Sequence, residues 1–387
     1  MESGKVKDFA EIRKNKKKKR NMQKFVAAMI FLLLALGLYV SRSRWLPSSG
    51  YRNNVFSNKE ISDGNFPLSI TNGINYQACK LGDNFVLLSD TQFYIYSVSG
   101  SLIESRQLTY SNAVLKSANN KALVYESGGN NFKVEGKRKT IYEKKTDDTI
   151  ISAYISDKGY VAVITTSTQY VCTLSVYDTV GNQMYFRGCV EKVISVAFNK
   201  ASTGCVLVTI DAAEGQIVSK AVSINFDSSE DNWTTENMDS LCISSYMTDD
   251  GGIFLFGDTQ CAYYDSEGNA EPGYSYESTL IDATFTDGHA AMIFENEERR
   301  KTSLVLIDNH ESTPQETVID NNVKCIFAEG DIVYIMTSES IQAYNYKGEL
   351  LKSEAISESY REFYKIDDYI LLLGYNKIDR IEFSIKK

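Results

Sequence analysis

Two histidines, His289 and His310, are all the imidazole in this 387-residue chain. That argues against general-base catalysis by imidazole and against zinc sites built on several histidines. His289 follows Asp287-Gly288 at a turn into a strand-like run and reads as a surface residue. Carboxylates are plentiful, at 50 Asp and Glu, and a glycosidase-type acid and base need only two of them across a cleft. Nothing in the spacing selects a pair. Asp147-Asp148, Asp249-Asp250 and Asp367-Asp368 each precede a strand-like run, where acids normally sit solvated in turns. Asp265, Glu267, Asn269 and Glu271 alternate oxygen ligands in the manner of a calcium loop. They lie on a hairpin and lack the helix-loop-helix pattern, so a turn is their expected role.

No G-x-G-x-x-G, G-x-x-x-x-G-K, H-E-x-x-H or G-x-S-x-G motif occurs. The seven cysteines, at 79, 172, 189, 205, 242, 261 and 325, show no C-x-x-C spacing. They are too sparse for a disulfide scaffold and mostly sit in strand-like runs, where a cysteine behaves as a small buried hydrophobe. Buried free thiols are the expectation; if a bridge forms, Cys172, Cys189 and Cys205 are its first candidates. The residues therefore assign no catalytic set, no metal and no cofactor.

The recurring pattern is structural. An aromatic residue followed four positions later by glycine ends a strand-like segment five times: Tyr96 to Gly100, Phe132 to Gly136, Tyr177 to Gly181, Tyr264 to Gly268 and Tyr344 to Gly348. Phe226 with Glu230 and Leu306 with His310 fall where two further copies belong and have lost the glycine. Gly100, Gly181, Gly268 and Gly348 are expected at positive φ in a hairpin to an outermost strand, with the aromatic ring packed on the next blade. Eight strongly apolar runs accompany these turns: NFVLLSD, KALVYES, GYVAVITT, GCVLVTID, GGIFLFGD, HAAMIFEN, DIVYIMTS and DYILLLGY. Short, β-branched and apolar throughout, they suit strands packed on both faces. A period near forty residues with one hairpin turn per unit predicts four-stranded antiparallel blades of an all-β propeller. Eight blades fit the count, with seven as the alternative. The last unit stops after DRIEFSIKK, so the segment around Phe66 to Thr71 (FPLSIT) is expected to supply its outer strand and close the ring.

Charge divides the chain. Residues 1–24 hold ten Lys or Arg against three acids, a net of +7, and the remainder holds 31 against 47, a net of −16. Phe25 to Val40 (FVAAMIFLLLALGLYV) is free of charge and followed by Ser41 and Arg42, with no small-residue cleavage site. As a helix it spans about 24 Å, and flanking Lys24, Arg42, Arg44 and Trp45 can make up the shortfall from a ~30 Å core. The reading is a basic cytoplasmic tail (1–24), a transmembrane signal anchor (25–40), a polar stalk (41–64) and an extracytoplasmic propeller (65–387). The acidic outer part repels nucleic acid.

The Y-x-x-x-G hairpins and the forty-residue period resemble quinoprotein-like and WD40-like propeller repeats. With the basic tail and single span, the chain is similar to membrane-anchored proteins of Firmicutes that carry a propeller-like domain of unknown function. Only Trp45 and Trp233 occur and there is no W-D signature, so the tryptophan-docking motifs of quinone-dependent propellers are missing. The resemblance implies an architecture and no active residue. A non-catalytic binding or scaffolding module at the cell surface is the favoured reading, its partner a protein or wall polymer outside the cell. A carboxylate-dependent hydrolase of surface carbohydrate or peptide, and an envelope sensor, are the alternatives.

Overall fold

Each of the eight apolar runs forms the second strand of a four-stranded antiparallel sheet, and the eight sheets are the blades of one propeller. The computed structural model describes residues 65–385 except 71–75, 287, 297–300, 310–312 and 320–321. The basic tail, the apolar run 25–40, the polar segment 41–64 and His310 lie outside these residues. No helix among the described residues is long and apolar enough to cross a membrane.

Blade 1 spans 77–107, blade 2 113–145, blade 3 150–189, blade 4 192–234, blade 5 242–275, blade 6 279–319 and blade 7 323–355. Blade 8 takes three strands from 360–382 and its fourth from Leu68–Ser69, in which Leu68 pairs with Ile378 and Ser69 with Lys377. The ring thus closes through a strand that precedes blade 1 in the chain and joins blade 8, and seven blades are excluded. The first strand of blade 8 also meets the first strand of blade 1, as neighbouring first strands do elsewhere in the ring.

The second strands are apolar throughout because each packs two ways. In Asn84–Leu88, Val86 and Leu88 join the cluster shared with blade 2, whereas Phe85 and Leu87 join the cluster shared with blade 8. Successive side chains of a strand point to opposite faces, and here both faces are covered by a neighbouring sheet. Eight such clusters occupy the eight interfaces between blades. Burying each large apolar side chain contributes roughly 1.5–3 kcal/mol, so an isolated blade, open on both faces, lacks most of its stabilisation.

The turn glycines have a more specific role than the period suggests. Gly100, Gly181, Gly268 and Gly348 have φ of 78°, 91°, 84° and 78°, and all four lie in odd-numbered blades. Each sits against a side chain from the outermost strand of the preceding blade, or just before it: Phe66, Tyr142, Trp233 and Thr317 respectively. A Cβ on Gly181 would lie 2.9 Å from the Tyr142 ring, and one on Gly268 2.9 Å from the Trp233 ring. Tyr96, Tyr177, Tyr264 and Tyr344 accordingly join the clusters shared with the preceding blade rather than the next one. The ring and the glycine lie on the same side of the sheet, and the neighbour's outer strand covers that side.

The pair Phe132 and Gly136 is out of register with the others. A strand irregularity precedes Tyr96, Tyr177 and Tyr344, and the corresponding irregularity in blade 2 precedes Glu135. Glu135 therefore stands where the odd blades carry tyrosine. Gly136 donates its N–H to Lys139 O in a tighter hairpin, without positive φ. Phe132 faces blade 3, where its ring meets Tyr177 at 5.1 Å. In blade 4 Phe226 packs on Tyr185 of blade 3, and in blade 6 Leu306 faces blade 7.

Candidate functional site

The first strands surround the central channel, and their polar side chains tie each blade to the next. Gln77 donates to Ala113 O at 2.6 Å and accepts from Leu115 N at 2.9 Å, joining blades 1 and 2. The Lys116 ammonium lies 3.6 Å from the centre of the Tyr154 ring, joining 2 and 3. The Tyr154 hydroxyl donates to Ile194 O at 2.8 Å, and the hydroxyls of Ser195 and Ser245 meet at 2.8 Å. Tyr246 stacks on Phe285 with ring centres 5.7 Å apart. Asp282 accepts from Ile326 N at 3.1 Å, Lys324 donates to Tyr360 O at 2.6 Å, and Arg361 donates to Tyr76 O at 2.9 Å. These contacts cross all eight interfaces and fix the lining from which any channel ligand is read.

Six first strands carry a β-bulge near their start, whose extra residue is Ile151, Ile194, Ile243, Ile281, Lys324 or Arg361. A bulge re-aims the following side chain, here Ser152, Ser195, Ser244, Asp282, Cys325 or Glu362. Ile243 and Ile281 remain 60% and 48% exposed. Sequence reading passed over these positions. Their signal is an Ile-Ser or Ile-Asp pair near the start of the first strand in four consecutive blades, in IISA, VISV, CISS and LIDA.

At the opposite end of these strands the channel opens into a cavity of about 420 Å³ drawing on blades 2 to 6. Lys116, Tyr154, Phe198, Ser245, Tyr246 and Phe285 are among its lining residues. Burial pushes the Lys116 ammonium down to about 8, because desolvation disfavours the charged form. Larger recesses exist, including one of about 600 Å³ beside Asp90 and Tyr110, but it is built from blades 1 and 2 alone. The channel mouth differs in combining aromatic faces, hydroxyls and a cation from five blades.

The carboxylates do not converge there as a free acid and base. Asp282 is half-buried and its carboxyl is pushed upward chiefly by desolvation, with Glu362 adding to the rise. Its two oxygens accept backbone N–H bonds from Ala283 and Ile326, and Glu362 accepts the Tyr364 hydroxyl at 2.9 Å. Asp147, Asp148, Asp367 and Asp368 are exposed. Asp249 pairs with Lys200 at 2.8 Å, and Asp250 accepts the Tyr263 hydroxyl at 3.0 Å.

Asp265 holds a turn together. One of its oxygens accepts the N–H groups of Glu267 and Asn269, and the other accepts the Asn269 side-chain amide at 2.9 Å. Asp178 makes the same bonds to Val180 and Asn182, which is why both acids are drawn below the ordinary carboxylate range. No cluster of His, Cys, Asp and Glu suited to a metal occurs among the described residues. His289, read from its turn as a surface residue, is half-buried: its ring centre lies 4.7 Å from that of Tyr346 of blade 7, and its Nδ1 is 2.9 Å from Asp308. All seven cysteines are free, and six are buried. Cys172 and Cys189 face each other on paired strands.

A family model matches residues 53–383, which takes in every blade. The chain belongs to DUF5711, a family of unknown function. No curated protein matches this DUF5711 chain. Among solved structures it is similar to BamB from Moraxella catarrhalis, with a TM-score of 0.55 and 12% identity over 82% of this chain and 98% of that one. It is also similar to Saccharomyces cerevisiae Sqt1, with a TM-score of 0.60 and 9% identity over 84% and 100% of the respective chains. At such identities the likeness is one of fold.

Proposed function

We propose that this protein is a non-catalytic binding module: a propeller held outside the cell by a single membrane anchor at residues 25–40, presenting its channel mouth to a component of the cell envelope. One observation carries the binding reading. Five blades contribute aromatic faces, hydroxyls and a cation to one recess, whereas Asp282 and Glu362 of the inner strands are tied to backbone or hydroxyl groups of the blades themselves. Such a recess is suited to hold a ligand. The anchor reading rests on the charge-free run, the cluster of Lys and Arg before it and the acidic character of the chain beyond it.

Two experiments on the full-length protein in its membrane test the two parts. Protease added outside intact cells should digest the propeller and leave the basic tail. Protection of residues 65–387 would refute the topology. A photo-crosslinking residue in place of Ile155, at the channel mouth, should yield a discrete envelope adduct in living cells. Its repeated absence would count against a binding role.

Asp282 and Glu362 are the acids that a hydrolase reading would use, since Asp282 is half-buried with its carboxyl pushed up and the Glu362 charge contributes to that rise. That reading displaces the binding one if the purified full-length protein cleaves wall carbohydrate or peptide and D282N abolishes the cleavage.

A further inference from the structure

Lys116 differs from the other cations of the inner strands that are not exposed, Lys192 being the exposed one. Lys80 meets Glu329 at 3.7 Å, Lys324 donates to the carbonyls of Glu358 and Tyr360, and Arg361 donates to Tyr76 O. Lys365 lies near enough to Glu329 and Asp368 for both to oppose its desolvation. The only partner of Lys116 among the described residues is the Tyr154 ring, which covers one side of the ammonium. An ammonium carries three N–H donors, and a ring face satisfies the charge without accepting three hydrogen bonds. The remaining donors are available to the cavity that Lys116 lines.

We infer that the channel mouth binds a carboxylate-bearing small molecule, its carboxylate on the Lys116 ammonium and its body among Tyr154, Tyr246, Phe198 and Phe285. This deepens the binding reading and rests on it. The choice of a carboxylate follows from the count and arrangement of charge. A single ammonium matches a single negative charge, and among the described residues no guanidinium lines the cavity to grip a phosphate in a bidentate manner. Lys200, the other cation there, is paired with Asp249. Asp157 and Asp249 stand exposed at the rim and oppose a multiply charged group. The aromatic walls and the hydroxyls of Ser117 and Ser245 suit a compact polar body, which a sugar acid and an amino acid both provide.

The test is calorimetric titration of the full-length protein in detergent with glucuronate, glutamate, acetate, glucose and inorganic phosphate, repeated on K116M and K116Q. Glucuronate or glutamate should bind and glucose should not, and both variants should weaken binding by about tenfold or more, since an order of magnitude is the scale of one charge-assisted contact. Binding of glucuronate alone identifies a sugar acid, binding of glutamate alone an amino acid, and equal binding of acetate a requirement for the carboxylate only. The inference is overturned if no acid binds, if phosphate binds best, or if variants with an undiminished melting temperature bind as well as the parent. A crosslinked envelope partner found while every acid fails would leave the binding reading standing and remove this one.

Discussion

Arg106, on the outermost strand of blade 1, donates to Glu135 of blade 2 at 2.7 Å, and Glu135 is entirely buried. Lys133 lies 2.9 Å from the other oxygen of the same carboxylate, and Thr140 donates at 2.9 Å to the oxygen that Arg106 holds. Glu135 occupies the place that Tyr96, Tyr177 and Tyr344 hold in blades 1, 3 and 7. This interface thus exchanges an aromatic contact for an ionic one. Removing one partner of a buried pair strands the other, at a cost of about 3 kcal/mol. E135M takes the carboxylate from both Arg106 and buried Lys133 and should lower stability by about that amount in urea unfolding, whereas R106M leaves Glu135 held by Lys133 and Thr140 and should cost less. Equal losses in the two variants would show that Lys133 does not share the carboxylate.

The glycines of the odd blades should tolerate alanine poorly. In G181A the new Cβ meets the Tyr142 ring and the backbone holds φ at 91°, a conformation that costs an L-residue about 1–2 kcal/mol before the clash is counted. G136A meets nothing closer than 3.4 Å and has no positive φ, so it should change stability by under about 1 kcal/mol. Thermal unfolding of the two variants side by side decides the matter, and equal losses would remove the distinction between the turns.

Lys116 makes a pH-dependent contribution with a definite sign. Its ammonium is pushed from 10.5 to about 8 by burial, so between those values the unfolded chain binds a proton that the folded chain has lost. Stability from this group accordingly rises with pH from about 8 to 10.5 and is lost again as pH falls back to 8. K116M, which carries no charge to desolvate, should be at least as stable as the parent at pH 7, with the difference fading above about pH 10. A K116M variant less stable at pH 7 than at pH 10, relative to the parent, would contradict the assignment.

Cys172 and Cys189 are cross-strand partners. Directly opposed residues of paired strands lie within the range a disulfide needs. A hydrogen bond from Cys189 draws the Cys172 thiol down to about 6, and the same bond raises Cys189. Both sulfurs are buried, so oxidised glutathione should convert this pair into a disulfide only as the strands open locally: Cys172 thiolate attacks the glutathione disulfide, Cys189 displaces the mixed disulfide, and both glutathione halves leave as thiols. Peptide mapping should then find Cys172 linked to Cys189 and Cys205 free. A link through Cys205, or none, would refute the pairing.

The architecture was legible from the sequence because it rests on local alternation and spacing. Eight apolar second strands read as such, since a strand covered on both faces must be apolar at every position, and FPLSIT announced itself as the missing strand because DRIEFSIKK left the last sheet one strand short. Which face a side chain takes is a different matter. Phe132 and Glu135 lie three residues apart on one strand and so face opposite neighbours, and the blade 2 hairpin, one residue shorter than that of blade 1, leaves Glu135 and not the aromatic in the place the tyrosines hold. The side of the sheet on which Tyr177 and Gly181 meet Tyr142 likewise depends on the stacking of the blades.

The channel mouth was hidden for the same reason. Lys116, Tyr154, Tyr246 and Phe285 come from four blades, far apart along the chain, and each looks ordinary in its own strand. Only the closing of the ring brings them around one recess, because a propeller converts a linear repeat into convergence at its axis. Local pattern dictated how many sheets there are and how each is woven; the ring decided which of their edges face one another, and therefore where a ligand has something to bind.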